Sequence, residues 1–148
     1  MLSPFHLALP VVDLDASRRF YIDILGCHIG RSALRWVDIN FWGHQLSLHL
    51  DETLDGSTIS TNAVDGDDVP TKHFGVILEW DRFEQLKTRL LEGEFAHEIQ
   101  WVIRPTIRFE GKVGEQATMF VRDPSGNVLE FKSFQNMECI FQSSESDL

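Results

Sequence analysis

HLALPVVDLDASRRFYIDILG, from His6 to Gly26, and HFGVILEWDRFEQLKTRLLEG, from His73 to Gly93, are two versions of one pattern. Each opens on His and closes on Gly twenty residues later, with an apolar run, an Asp, an amphipathic stretch and a Leu between. An internal repeat constrains a fold more than any local propensity, because each copy must form the same supersecondary unit. In each copy the apolar run reads as a half-buried strand. Asp15 and Asp81 are the expected N-caps of the helices that follow, accepting backbone N–H groups that have no helical partner. Phe20 and Ile24 lie four apart on the first helix, and Phe83, Leu86 and Leu90 make the apolar stripe of the second. Gly26 and Gly93 are expected to end the helices in the left-handed conformation.

Working outward, each helix is followed by strand signals. Arg35 to Phe41 and Gln45 to Leu50 flank Trp42-Gly43-His44, a hairpin turn. Gln116 to Arg122 and Asn127 to Phe134 flank Asp123-Pro124-Ser125-Gly126, whose Asp, Pro and Gly each favour a turn. Weaker strands are expected near His28 to Ser32 and Trp101 to Phe109. The unit is βαβββ, present twice, in a single α+β domain. Module one spans about residues 4–50, a linker 51–71, module two 72–134 and a tail 135–148. The linker is polar and acidic. Its Asp65-Gly66-Asp67-Asp68 cluster lacks the ligand spacing of an EF-hand and reads as a solvated loop. The tail ending SSESDL is expected to fray.

The chain has 148 residues, 43% of them hydrophobic, with eleven Phe and four Trp to fill a core. No apolar run is long enough to span a bilayer. The opening MLSPFHLALPVVDLD has no basic leader and reads as the first strand, not as a signal peptide. Cys27 and Cys139 are too few for a disulfide framework, so a cytoplasmic location is expected. The net charge of −10 argues against nucleic acid, which is bound by neutralising phosphates.

Alternation along the strands sorts the candidate site residues. Phe5, Leu7, Leu9 and Val11 form one face of the first strand; His6, Ala8, Pro10 and Val12 form the other. Phe74, Val76, Leu78 and Trp80 form the helix face of the strand after the linker, and His73, Gly75, Ile77 and Glu79 the opposite one. Both histidines therefore lead the face turned away from the helix, each followed two residues on by a small residue that lets another backbone or a ligand approach. In the last strand Leu129 and Phe131 suit the helix side, leaving Val128, Glu130 and Lys132 with the histidines. A lone His at a strand start is usually an ordinary surface or core residue, and Glu130 has Lys132 as a same-face partner. Two histidines at equivalent repeat positions plus an inward carboxylate instead match the 2-His-1-carboxylate triad, which leaves metal positions open. His6, His73 and Glu130 are the expected metal ligands.

The paired βαβββ units, the two strand-leading histidines and the closing DPSGNVLEF resemble the vicinal oxygen chelate superfamily, which includes glyoxalase I, fosfomycin-resistance proteins, bleomycin-resistance proteins and extradiol dioxygenases. Segments such as RWVDINFWGHQLSLHL and GEQATMFVRDPSGNVLEFK look like small bacterial proteins described as predicted extradiol dioxygenases. The resemblance covers about residues 4 to 134. It implies two modules about a pseudo-twofold axis, their sheets curving into a cleft. It also implies a divalent metal, Fe(II) in the leading reading with Mn(II), Zn(II) or Ni(II) as alternatives, and a homodimer. A fourth ligand place falls within Gln45 to Leu50, where this chain lacks the Glu of glyoxalase-like members; either Ser47 or His49 occupies it, since both lie on one face. His49 is the candidate acid–base group. Two-domain extradiol enzymes carry twice as many modules, and their additional catalytic His and Tyr have no clear counterpart here; Tyr21, on a helix, is expected to pack.

The implied chemistry is capture of a small molecule through two neighbouring oxygens on the metal. Dioxygenation of a catechol-like substrate is the leading expectation. Oxygen-independent isomerase or lyase chemistry and ligand sequestration without catalysis are the alternatives. Trp36, Phe41 and Trp101 are candidate apolar walls, and Arg108 and Gln116 candidate polar contacts.

Overall fold

A computed structural model of the protein describes residues 1–55 and 61–143. The chain divides into two compact units, one built from residues 1–58 with 123–127, the other from 59–122 with 128–148. In the first unit, β1 (His6–Val11) leads into α1 (Leu14–Arg18), which continues as a π-helical stretch, Arg19–Ile24. Then come β2 (His28–Ala33), β3 (Trp36–Phe41) and β4 (His44–Leu50). The sheet order is β1-β4-β3-β2, with β1 parallel to β4 and the other neighbours antiparallel.

The second unit repeats this plan with β7 (Phe74–Ile77), α2 (Trp80–Glu92), β8 (Gln100–Arg108), β9 (Gln116–Arg122) and β10 (Val128–Phe134). Its order, β7-β10-β9-β8, is the same one, first strand parallel to last. The α+β fold of twice-used βαβββ units is therefore the one the repeat predicts. Among the described residues no helix is long and apolar enough to cross a membrane.

Alternation sets the core. In the first sheet Leu9, Val11, Val37, Ile39, Phe41, Leu46 and Leu48 are buried, as are Phe20 and Ile24 of the helical segment. In the second, Met119, Val121, Leu129 and Phe131 are buried, and so are Phe83, Leu86 and Leu90 of α2.

The helix ends differ from expectation. Asp13, not Asp15, caps α1, accepting from the backbone N–H of Asp15 at 2.9 Å and of Ala16 at 3.0 Å. Helix α2 has no side-chain cap; Asp81 sits inside its first turn, where a carboxylate favours the helix dipole. Gly26 has the expected left-handed φ of 82°. Gly93 is extended, at φ −72°, and its glycine has a different cause: a Cβ there would fall on the carbonyl of Arg89.

The linker expectation is corrected as well. Residues 61–70 form a hairpin, β5 (Thr61–Val64) and β6 (Asp67–Pro70). Asp65 and Gly66 turn it with φ of 46° and 87°, as Trp42 and Gly43 turn β3 into β4 with 49° and 89°. Positive φ at both central residues is the two-residue turn whose twist matches paired strands, and Asp-Gly is one of its usual sequences. The linker's residues 56–60 and the tail's 144–148 lie outside the described residues. Met137–Phe141 form a short 3-10 helix.

The turn Asp123–Asn127 completes the first unit. Tyr21, 0% exposed, donates its hydroxyl to Asp123 Oδ2 at 2.9 Å. Asp123 Oδ1 accepts from the backbone N–H of Ser125 and of Asn127, both at 2.9 Å. Asn127 Nδ2 reaches the Pro10 carbonyl at 3.2 Å, and the Val12 N–H donates to Ser125 Oγ at 2.9 Å. Burial lifts the Asp123 carboxyl above its ordinary range despite the bonds from Asn127, Tyr21 and Ser125. Burial, then the Asp123 charge, pushes the Tyr21 phenol well up.

Candidate metal centre

The candidate centre of the second unit rests on one close backbone contact. Glu130 in β10 stands directly beside Gly75 in β7. A Cβ built at Gly75 would fall on the Glu130 carbonyl, so no larger residue fits without moving a strand. His73, two residues before Gly75, reaches over the same face. Its Nε2 lies 3.1 Å from Glu130 Oε2. Its Nδ1 stands 2.6 Å from the Pro70 carbonyl, which can only accept, so Nδ1 donates. The ring meets Phe120 edge-on with centroids 5.2 Å apart.

Glu130 is only 9% exposed. Its Oε1 accepts from Thr118 Oγ1 at 2.7 Å and lies 3.4 Å from Lys132 Nζ. Burial alone would raise this carboxyl; the His73 bond, the Lys132 charge and the Thr118 hydroxyl outweigh it and hold the group below its ordinary range. The Glu130 bond is also the main reason the His73 imidazole is held above its usual value, against the pull of burial and with help from the Pro70 carbonyl.

This donor set fits a divalent ion. With Nδ1–H given to a backbone carbonyl, His73 would present the Nε2 lone pair to an ion once Nε2 gives up the proton it shares with Glu130, the arrangement that orients metal-bound histidines. Two donors each about 2.1 Å from one ion, at roughly a right angle, stand about 3 Å apart. The pair is already at that separation. Among the described residues, however, no group of three or more His, Cys, Asp and Glu side chains forms a site able to hold an ion. His73 and Glu130 are brought together in the second unit; His6 lies in the first, exposed on β1.

Register identifies the counterpart place in the first unit. Ala8 of β1 pairs with Ser47 of β4 as Gly75 pairs with Glu130, so Ser47 stands where the second unit has its carboxylate. The carboxylate here is one strand over. Asp38 of β3, opposite Ser47 and 6% exposed, accepts from Ser47 Oγ at 2.6 Å, from Gln45 Nε2 at 3.1 Å and from Arg31 Nη2 at 3.4 Å. The Ser47 bond is the main reason its carboxyl is held down. Gln45 in turn pairs with His6. Asp38 carried no sequence signal except its parity with Trp36 and Asn40.

The remaining candidates are scattered. His49 is exposed, paired with Pro10 and Trp36, four residues along the strand from the His6 row, or about 13 Å. The register therefore lends no support to an acid–base role for His49 beside His6. Trp36 is half-buried on the same face as Asp38, with the Arg31 guanidinium 5.8 Å from its ring. Phe41 is a correction: it is buried on the core face with Val37 and Ile39 and makes no wall of the open face. Trp101 pairs with Val121, on the side away from Glu130, and carries Arg104 at 5.6 Å. Arg108 is no free polar contact, since both its bonds go to the β5–β6 hairpin. Gln116 does share the Glu130 face, and its buried Oε1 has no hydrogen-bond partner. Thr118 was missed; it lies one alternation from Phe120 on β9 and pairs with Lys132, and its hydrogen bond to Glu130 depends on the β9–β10 register.

The glyoxalase/bleomycin resistance protein/dioxygenase superfamily model matches residues 3–131. The chain belongs to that superfamily. A crystal structure of a member from Alicyclobacillus acidocaldarius is 31% identical, with 94% of this chain and 96% of that one covered and a TM-score of 0.76. The fosfomycin resistance protein FosX of Listeria monocytogenes is 16% identical over 94% of this chain and 98% of its own, TM-score 0.65. Lactoylglutathione lyase of Agrobacterium tumefaciens is 19% identical over 88% and 92%, TM-score 0.57. At those identities the last two share the fold alone. No functionally curated protein matches the chain.

Proposed function

We propose that the protein is a metal-dependent enzyme that binds a small molecule through two neighbouring oxygens on a divalent ion, and that it is a dioxygenase of catechol-like substrates. His73 Nε2 and Glu130 Oε2 would hold the ion, with His6 as third donor. The observation that carries this reading is the 3.1 Å pair on one buried carboxylate, with the imidazole oriented from behind by Pro70. A bound divalent ion supplies Lewis acidity and a template for both substrate oxygens. The chain's own residues do the rest. Thr118 and Lys132 keep Glu130 ionised, and Phe120 and Val128 bury the floor beside it. Lys132 Nζ, 3.4 Å from Glu130 Oε1, is a charged donor that suits an anionic substrate oxygen.

Ser47 favours dioxygenation over the glyoxalase-like alternative. It is a neutral hydroxyl bonded to Asp38 where glyoxalase-like members have a carboxylate, and a site with three strong ligands keeps positions open for both substrate and O₂. A lyase or isomerase with a redox-inert metal is the second reading. A homodimer of this 17.0 kDa chain goes with either, and sedimentation equilibrium checks it.

The test is metal analysis of anaerobically purified protein, with Glu130→Ala, His73→Ala and His6→Ala each expected to weaken Fe(II) binding by about a hundredfold or more. Variants that bind as the parent does would remove the site. Oxygen uptake with a catechol panel then separates the readings: turnover in anaerobic buffer with bound zinc or nickel would favour the lyase.

A further inference from the structure

The hairpin between the two βαβββ units is tied to the candidate centre at three points. Val69 is buried against Phe120 and Val128, which share the Glu130 face. Arg108, 4% exposed, donates from Nη1 to the Val64 carbonyl at 2.6 Å and from Nη2 to Asp67 Oδ2 at 3.0 Å. Pro70, the last residue of β6, gives its carbonyl to His73 Nδ1 at 2.6 Å.

Burying a guanidinium is costly unless its bonds are well made, and both of these go to one hairpin. Val64 and Asp67 are the paired residues flanking the turn, whereas Pro70 is the far end of β6. Arg108 therefore fixes one end of a short strand, Val69 anchors its middle, and the other end holds the imidazole. Proline's restricted φ leaves little slack at that end.

We propose that Arg108 is a positioning residue for His73: through Asp67 and the hairpin it sets where the Pro70 carbonyl stands, and so which ring nitrogen faces Glu130 and at what angle. This rests on the metal reading of the His73–Glu130 pair. It gives the inter-module segment a role in ligand geometry, and it makes Arg108 a support of the site instead of a substrate contact.

Co(II) titration of the intact protein, followed by its visible bands, tests this directly. Groups that orient metal-bound histidines are worth about 10–100-fold in affinity. One step further out, Arg108→Gln is expected to raise the Co(II) Kd about tenfold and Asp67→Asn about threefold, both with altered band intensities. Asp68→Asn, which removes the same charge from an exposed position next door, leaves Kd and bands unchanged. A purely architectural Arg108 would lower the melting temperature and leave the Kd of the folded protein alone. Should Arg108→Gln fail to fold, Asp67→Asn decides: a parent-like Kd and spectrum overturn the proposal. Glu130→Ala serves as the reference, because parent-like Co(II) binding there removes the metal site itself and the positioning role with it.

Discussion

At the scale of single residues, Gly75 and Tyr21 make the sharpest predictions. Gly75→Ala puts a methyl on the Glu130 carbonyl, and because the obstacle is backbone no rotamer change relieves it. Overpacking of this kind costs about 1–3 kcal/mol, so urea denaturation should show a loss in that range, together with weaker metal binding as the strand carrying Glu130 shifts. Ala8, at the matching place in the first unit, already carries that methyl, so the constraint is local to β7 and β10. Tyr21 is the only tyrosine, which makes its ionisation visible. Its phenol is held well above its ordinary value near 10 by burial and by Asp123. An unfolded chain releases that proton near pH 10 while the folded one keeps it. Above pH 10 the native state thus holds more protons, and stability falls by about 1.4 kcal/mol per pH unit until the folded pKa is reached. Phenolate absorbance should therefore rise together with loss of far-ultraviolet ellipticity; a phenolate signal in protein that is still folded would contradict this burial. That His73 and Glu130 share a face was legible from strand parity, because parity survives small errors in strand ends. Thr118, Asp38 and Pro70 were not, because each acts across a register or through a carbonyl that no residue type announces.

At the scale of elements, boundaries were legible and end chemistry was not. Asp13, Asp15 and Asp81 are each an acidic residue near a helix start, and sequence cannot say which one has its side chain over the free N–H groups. The structure selects Asp13. Asp13→Ala should cost about 1 kcal/mol, the usual worth of such a cap. Asp15→Ala removes only an exposed pair with Arg18 and should lie within about 0.5 kcal/mol of the parent in the same denaturation series. The hairpin was hidden for a related reason. Residues 61–70 carry five polar side chains among ten, and most of β5 is exposed, so the segment reads as a loop. Asp65-Gly66 was the signal available, and Val69 with Val64 was the apolar alternation beside it.

At the scale of the whole molecule, the division of ligands matters most. His73 and Glu130 belong to one unit and His6 to the other, each unit built on its own sheet. Binding to the native state alone adds about 2.7 kcal/mol at a hundred times Kd, which for a chain of this size raises the melting temperature by roughly 5–10 °C. A net charge of −10 complicates the measurement, since any divalent cation will gather near so acidic a surface. Screening removes most of that diffuse effect at about 0.15 M salt, where the Debye length is about 8 Å, but leaves a ligated ion in place. The comparison is therefore made in salt, with Mn(II), on the parent, Glu130→Ala and His6→Ala. Glu130→Ala should lose the rise entirely. His6→Ala should keep less than half of it, because two protein donors hold an ion more weakly than three. An undiminished rise in His6→Ala would mean that the third donor lies elsewhere, while the His73–Glu130 pair would still stand on the Glu130→Ala result.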